Sequence, residues 1–325
     1  MSAETLIDVR VTRISYRGPD IHSFELRPAG GGALPVFTAG AHVELRLPGG
    51  LARPYSLHNR PGETDRYEIA VKLERSGRGG SRFLHETVRV GDVIAMSPPV
   101  NHFELVEDAK RYVLVGAGIG VTPIIAMART LSERGADFAL HYCGRTREAL
   151  AFMEEAEEIC GDRLRVHLDG GDPADGLDLR RLVESEPIGT EFYCCGPVGM
   201  IAALREATPV ERRYRLHFES FAAPALPQVA GAGVSTGLEV EIAGSGAVLP
   251  LRADQSVLDV LRDHGHDVES SCEAGTCGAC RTRLLEGVVD HQDFVLTEDE
   301  QGKWMMICVS RPKSGRIKLD PEARS

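Results

Sequence analysis

The stretch SSCEAGTCGAC, Ser270 to Cys280, places Cys272, Cys277 and Cys280 at C-x4-C-x2-C spacing, and a fourth cysteine, Cys308, follows in MMICVS after 27 intervening residues. That pattern is the plant-type ligation spacing of a [2Fe-2S] cluster. Four thiolates must converge on two irons, and a loop of small residues lets backbone N–H groups approach the sulfurs closely. Gly275, Thr276, Gly278 and Ala279 supply that smallness. A structural zinc site is the competing reading, since four cysteines can make one. Zinc modules usually pair two short knuckles, whereas here three candidate ligands share one loop and the fourth stands alone, so the spacing favours the cluster.

Working outward, LEVEIAGSGAVLPLRA reads as a hairpin, SVLDVLRDHG as an amphipathic helix, RTRLLEGVVDH as strand and turn, and GRIKLD as a late strand. Over residues 237–325 this is a ferredoxin-like β-grasp pattern, an α+β domain. Between Gly237 and Ser325 there are 16 acidic against 10 basic residues, a net −6 of the chain's −11. An acidic face there suits either the steering of a basic partner or plain solubility. Residues 223–236, uncharged and rich in Ala, Pro and Gly, read as an interdomain linker.

Upstream, residues 108–222 read as an α/β domain with a parallel sheet. RYVLVGAGIGVTPIIAMARTL is an apolar strand, a glycine turn (Gly116, Gly118, Gly120), then a helix opened by Thr122 and Pro123. Strand, glycine turn and helix N-terminus make a pyrophosphate cradle. The spacing is G-x-G-x-G, so the usual dinucleotide fingerprint does not strictly apply. FALHYCGRT, RLRVHLDGG and EFYCCGP supply further strands. The last ends in Cys195-Gly196-Pro197, at the strand edge where open α/β sheets bind ligands, although simple packing also explains a buried cysteine there. No acid stands at the end of the second strand to take a ribose 2'-hydroxyl. Arg145, in GRTR, stands there instead and suits a 2'-phosphate. The domain closes with LHFESF, where His217 on a strand reads first as a structural histidine.

Residues 1–107 read as short alternating strands, LIDVRVTRISY, IHSFELRP, AHVELRLP, ARPYSLHN, RYEIAVKLE and DVIAMSPP, and a small antiparallel β-barrel is the economical architecture. Two details stand out. Arg53-Pro54-Tyr55-Ser56 lies where a strand is expected to begin, and Gly77-Arg78-Gly79-Gly80-Ser81 leads into a short helix-like run, RFLHETV. A glycine-rich turn entering a helix suits a phosphate, with Arg78 or Arg82 adding charge, though such a turn also serves as a plain surface loop.

These motifs carry a resemblance. R-x-Y-S followed by G-R-G-G-S is similar to the flavin domain of the phthalate dioxygenase reductase family, within the ferredoxin-NADP reductase superfamily, where GAGIGVTP is the expected pyridine-nucleotide turn. The order flavin, nucleotide, ferredoxin matches that family over essentially the whole chain. By resemblance, Arg53, Tyr55 and Ser56 would hold FMN, Gly79, Gly80 and Ser81 its phosphate, and Lys72 would line the same edge. Cys195, Gly196 and Pro197 would form the nicotinamide wall, with Glu219 and Phe221 of the H-x-E-x-F run near the flavin. A compact phosphate turn favours FMN over FAD. Family practice points to NADH, the local charge at Arg145 to NADPH, and NADH is the expectation.

The resemblance implies a multidomain oxidoreductase in which hydride passes from NADH to FMN and single electrons then pass through the cluster to a Rieske-type oxygenase component. A flavin is needed because a hydride carries two electrons and the cluster accepts one at a time. No residue need act as nucleophile or general base. A reductase serving a cytochrome P450 is the alternative within the class, and a non-catalytic redox sensor the alternative outside it. A hydrophobic fraction of 42% with 26% charged residues is ordinary for a globular protein, and the acidic balance argues against nucleic acid or an anionic membrane as partner. No apolar run is long enough to span a bilayer, and MSAETLIDVRV lacks a signal-peptide pattern, so the expected location is the cytoplasm. Cys143, Cys160, Cys194 and Cys195 are then reduced core residues.

Overall fold

A computed structural model of the chain describes residues 5–75, 77, 79–221 and 235–323, so the N-terminal residues 1–4, Arg78 and most of the expected 223–236 linker lie outside the described residues. The chain divides into two units, Met1–Glu219 and Ser220–Ser325.

Six strands open the first unit: β1 (Ile7–Gly18), β2 (Ile21–Pro28), β3 (His42–Leu47), β4 (Leu51–Ser56), β5 (Tyr67–Lys72) and β6 (Val93–Met96), with a short helix α1 (Gly80–Glu86) before β6. They form one antiparallel sheet in the order β4-β3-β6-β1-β2-β5, and a bridge between Leu57 and Ile69 joins its two edges into the expected barrel. Alternation drives this closure. Val9 and Val11, Phe24 and Leu26, Val43 and Leu45, and Tyr67, Ile69 and Val71 all turn inward and are buried, while the residues between them are more exposed. One expectation is corrected. Arg53 to Ser56 end a strand rather than begin one, because β4 starts directly after the turn at Pro48–Gly50 and its hairpin register pairs Leu45 with Arg53 and Val43 with Tyr55.

The second half of the unit alternates strands and helices: β7 (Tyr112–Ala117), α2 (Val121–Glu133), β8 (Phe138–Gly144), α3 (Met153–Cys160), β9 (Leu164–Leu168), α4 (Leu179–Ser185), β10 (Glu191–Cys195), α5 (Val198–Ala207) and β11 (Leu216–Glu219). The strands pair in parallel in the order β11-β10-β7-β8-β9. β7 and β10 read as near-continuous apolar runs because parallel strands are covered on both faces, and both are almost wholly buried. The core on the α2 side of this sheet also takes in Ile21, Ala39 and Ala70 of the barrel half, so the two halves share apolar packing.

The second unit holds β12 (Ser235–Ile242), β13 (Val248–Arg252), α6 (Val257–Asp263), β14 (Arg281–Glu286), β15 (Val289–Asp290), α7 (Glu298–Gln301), β16 (Trp304–Met306), β17 (Arg311–Pro312) and β18 (Arg316–Asp320). Five strands form a mixed sheet, β13-β12-β18-β14-β16, with β12 and β18 parallel and central, while β15 pairs with β17. α6 starts with a capping box, Ser256 and Asp259 each accepting from the other's backbone N–H. Its buried face, Val257, Leu258, Val260 and Leu261, packs into a core with Val240, Leu251, Met305 and Ile317. This is the β-grasp arrangement. No helix among the described residues is long and apolar enough to cross a membrane.

Candidate functional site

Four of the motifs singled out above meet at one place in the first unit. Ser56, the last residue of β4, donates from Oγ to Glu219 Oε2 at 3.2 Å. Glu219 ends β11 and is paired with Cys195, which ends β10. The Cys195 backbone in turn presses on Gly120, where a Cβ would lie 2.3 Å from the Cys195 carbonyl oxygen. Glycine at 120 is therefore required by close approach, since its own φ of −63° suits any residue. The R-x-Y-S motif, the H-x-E-x-F run, the Cys195 turn and the glycine turn thus form a continuous chain of contacts.

Around this line the other candidates are arranged as follows. Gly118 has φ +53°, Gly116 packs over Val121 and Ile124, and Thr122 Oγ1 donates to the Ile119 carbonyl at 3.1 Å, tying the turn to the start of α2, in which Pro123 is buried. Gly196 is packed by Ala117 and Met200, and Pro197 caps α5. Cys195 is fully enclosed, and burial, the Glu219 carboxylate and Cys194 hold its thiol well above the ordinary range, so it stays protonated. Tyr55 is pushed up to about 12, chiefly by burial and against the opposing influence of Arg53, and its hydroxyl also keeps its proton. His217 hydrogen-bonds Glu191 Oε2 at 2.9 Å and stacks on Tyr193 at 4.4 Å, the satisfied structural histidine that a strand position suggests.

The glycine-rich turn reaches the same strand as the aromatic motif. A Cβ on Gly80 would meet the Arg53 side chain at 2.8 Å, so Gly79 to Ser81 and Arg53 are immediate neighbours. Ser81 Oγ accepts from the Glu74 backbone N–H at 3.0 Å, fixing the turn. Lys72 closes β5 half exposed, 3.8 Å from Glu74. Phe221, two residues beyond Glu219, is 49% exposed. Arg145 is exposed at the end of β8, and Arg147 beside it is taken up by an ion pair with Glu157.

One candidate escaped the sequence. The Asp169 backbone N–H donates to the Gly144 carbonyl at 3.1 Å, bringing an acidic residue from the end of β9 to the end of β8. Its Oδ1 accepts from Gly171 N–H at 2.8 Å, which orients the carboxylate. The rule that looks for an acid at the second strand missed it because it arrives from the third.

In the second unit the cysteine loop presents its sulfurs in two pairs. Cys280 and Cys308 lie 3.2 Å apart and buried; Cys272 and Cys277 are hydrogen-bonded to each other and half-buried. The Cys277 contact, with backbone N–H groups of Ala274 and Thr276, holds the Cys272 thiol below its ordinary range against the opposing effect of burial. Ala274 N–H stands 3.3 Å from the Cys272 sulfur, and Ala279 and Gly275 serve Cys277 and Cys308 likewise. Gly275, at φ +76°, has Val309 where a Cβ would stand, 2.7 Å away. Two thiol pairs with N–H groups aimed at sulfur fit a two-iron cluster, which takes two thiolates per iron.

Comparison with known proteins places this geometry. The family model for the 2Fe-2S iron-sulfur cluster binding domain matches residues 240–313. Phthalate dioxygenase reductase of Burkholderia cepacia is 41% identical over 304 residues, 93% of either chain. A solved structure of phthalate dioxygenase reductase, described as modular for electron transfer from pyridine nucleotides to [2Fe-2S], superposes with a TM-score of 0.73 at 39% identity, covering 97% of this chain and 98% of that one. An intact type IV self-sufficient cytochrome P450 monooxygenase gives the same TM-score at 38% identity, covering 97% of this chain but 41% of its own. The chain belongs to the phthalate dioxygenase reductase family, as a multidomain oxidoreductase with a flavin barrel, a pyridine-nucleotide domain and a [2Fe-2S] ferredoxin domain.

Proposed function

We propose that this chain is the NADH-dependent reductase component of a Rieske-type oxygenase, with FMN in the barrel. The observation that carries the reading is the contact line from Ser56 through Glu219 and Cys195 to Gly120, which brings the flavin motif and the nucleotide turn to one edge of one unit. Bound there, the nicotinamide supplies a hydride, the flavin accepts it and releases electrons singly, and the cluster carries them onward one at a time.

The chain's own residues have positional work. Arg53, Tyr55 and Ser56 hold the flavin, Gly79, Gly80 and Ser81 its phosphate with Lys72 at the rim, and Phe221 follows Glu219 on the flavin side. Gly116, Gly118, Gly120, Thr122 and Pro123 cradle the pyrophosphate, and Cys195, Gly196 and Pro197 wall the nicotinamide. Cys272, Cys277, Cys280 and Cys308 ligate the cluster. The protonated Cys195 and Tyr55 agree with a scheme that needs no nucleophile and no general base. Asp169 supports NADH, since a carboxylate at the strand edge suits a 2'-hydroxyl and repels a 2'-phosphate, and Arg145 is the opposing charge. We assign residues 1–107 to the barrel, 108–222 to the nucleotide domain and 237–325 to the ferredoxin domain, in a cytoplasmic protein.

The purified protein should carry FMN by chromatography of the released flavin and should reduce cytochrome c with NADH. Absence of turnover with flavin and cluster both bound would defeat the reading. The likeness to the self-sufficient cytochrome P450 over 97% of this chain favours a second partner, a P450. Reconstitution with a Rieske-type oxygenase component, against a P450, decides between the two.

A further inference from the structure

Phe152 is the residue in the first unit whose conformation the chain has least reason to choose. It immediately precedes α3 with φ +61° and ψ 25°, a left-handed backbone in which a bulky side chain is a genuine outlier, and it is buried to 5% exposure. Such strain persists only where the surroundings over-determine it.

The surroundings here come from both halves of the unit. On the barrel side, the His58 ring lies 4.6 Å from the Phe152 ring, and the Arg17 guanidinium sits 4.9 Å from its centroid. Arg17 NH1 reaches on to Glu155 in α3 at 3.1 Å, and Glu155 is shared with Arg129 of α2 at 3.7 Å. On the nucleotide side, the buried Tyr142 hydroxyl donates to the carbonyl of Ala151, the residue before Phe152, at 2.7 Å, and stands 3.3 Å from the Gly118 carbonyl in the glycine turn. His58 follows Ser56 by two residues, so one side of the Phe152 ring is tied to the flavin motif and its backbone to the nucleotide turn. His58 is fully enclosed, its Nε2 has no hydrogen-bond partner, and burial holds it down to about 3, so it offers Phe152 an uncharged ring. A buried polar atom left unmatched in the same contact as a strained backbone marks a junction held for its shape.

We propose that Phe152 is a positioning residue, a wedge clasped by Arg17 and His58 that sets the spacing between the R-x-Y-S strand and the glycine turn and thereby the alignment of hydride donor and acceptor. This rests on the assignment of flavin to Arg53–Ser56 and nicotinamide to Gly116–Gly120 and Cys195–Pro197. In the step concerned, a C–H bond of NADH breaks, its hydrogen and electron pair add to the flavin, NAD+ leaves, and no other reactant is needed. Misalignment of about 1 Å in such a step costs on the order of a hundredfold in rate.

The test uses flavin-loaded full-length protein and compares wild type with Phe152→Ala, Phe152→Leu and Arg17→Gln. Stopped-flow reduction of the flavin by NADH should show a limiting rate lowered about tenfold or more in Phe152→Ala and Arg17→Gln, partly restored in Phe152→Leu, with half-saturation by NADH within about twofold of wild type. In cofactor-free protein, the amides of Ala156, bonded to the Phe152 carbonyl at 2.9 Å, and His58, bonded to Glu68 at 3.0 Å, should exchange faster in Phe152→Ala. Arg17 is only partly buried, so Arg17→Gln decides the matter if Phe152→Ala does not fold. Wild-type limiting rates in Arg17→Gln and in any folded Phe152→Ala overturn the wedge. A change confined to half-saturation overturns it as well. Failure of the wild-type protein to reduce its flavin with NADH would instead overturn the assignment beneath it.

Discussion

Replacing Gly120 with alanine puts a methyl group into space already occupied by main chain. The added Cβ would stand 2.3 Å from the Cys195 carbonyl oxygen, 2.7 Å from its carbon and 3.1 Å from its sulfur. No flexible side-chain end is available to swing aside, so either the glycine turn or the end of β10 must move by roughly 1 Å. Overpacking of this kind costs about 1–3 kcal/mol, which in a unit of this size lowers the melting temperature by about 2–4 °C per kcal/mol. Both elements that must move belong to the proposed nicotinamide site, so half-saturation by NADH should rise about tenfold, the equivalent of about 1.4 kcal/mol. Gly135→Ala, outside the proposed site, is the matched control. There φ is +65° and nothing lies within 4 Å of the added Cβ, so the cost is conformational, about 1 kcal/mol, and neither element is displaced. NADH titrations of flavin reduction with parallel thermal melts read both effects. If Gly120→Ala binds NADH as the wild type does, or Gly135→Ala binds worse than Gly120→Ala, the close approach is not what the site depends on.

Further outcomes follow from the same geometry. Cys308→Ser should abolish cytochrome c reduction while leaving flavin reduction by NADH intact, and loss of both steps or of neither would refute the order of transfer. Ser56→Ala removes the 3.2 Å donation to Glu219 and should slow flavin reduction severalfold, in line with about 1 kcal/mol for one hydrogen bond; an unchanged rate would mean that this contact carries nothing. Asp169→Ala should cut the NADH over NADPH preference in kcat/KM by about tenfold, as expected for one charge-assisted hydrogen bond, and an unaltered ratio would remove Asp169 from the ribose site. Acid should weaken the first unit. Burial, the leading cause in each case, holds His58 at about 3 and His42 and His141 at about 4 in the fold, whereas the unfolded chain takes up those protons near 6.5. Stability is therefore lost as pH falls below about 6.5 towards 4, by about 1.4 kcal/mol per pH unit for each histidine, and a melting temperature flat between pH 7 and 4.5 would contradict this.

Much of this organisation was legible in the chain. The cysteine spacing, the alternation of Val9, Val11, Phe24 and Leu26, and the apolar run into Gly116 are local patterns, and local patterns survive being read one segment at a time. The shortfalls are places where a contact joins distant segments. Asp169 reaches Gly144 from a different strand, and Arg17, His58 and Phe152 are brought together although positions 17 and 152 stand far apart in the chain. The R-x-Y-S motif reads as the beginning of a strand because nothing in those four residues shows where the preceding turn ends; the hairpin register of β3 and β4 decides it.

The core of the second unit draws, among the described residues, on Val240 to Leu319 alone, and no residue of it belongs to the barrel or the parallel sheet. Selection can therefore change the packing around the cysteine loop without substituting any residue of the two cores in the first unit, so the end of the chain that passes electrons on and the end that collects them can be rewritten at separate positions.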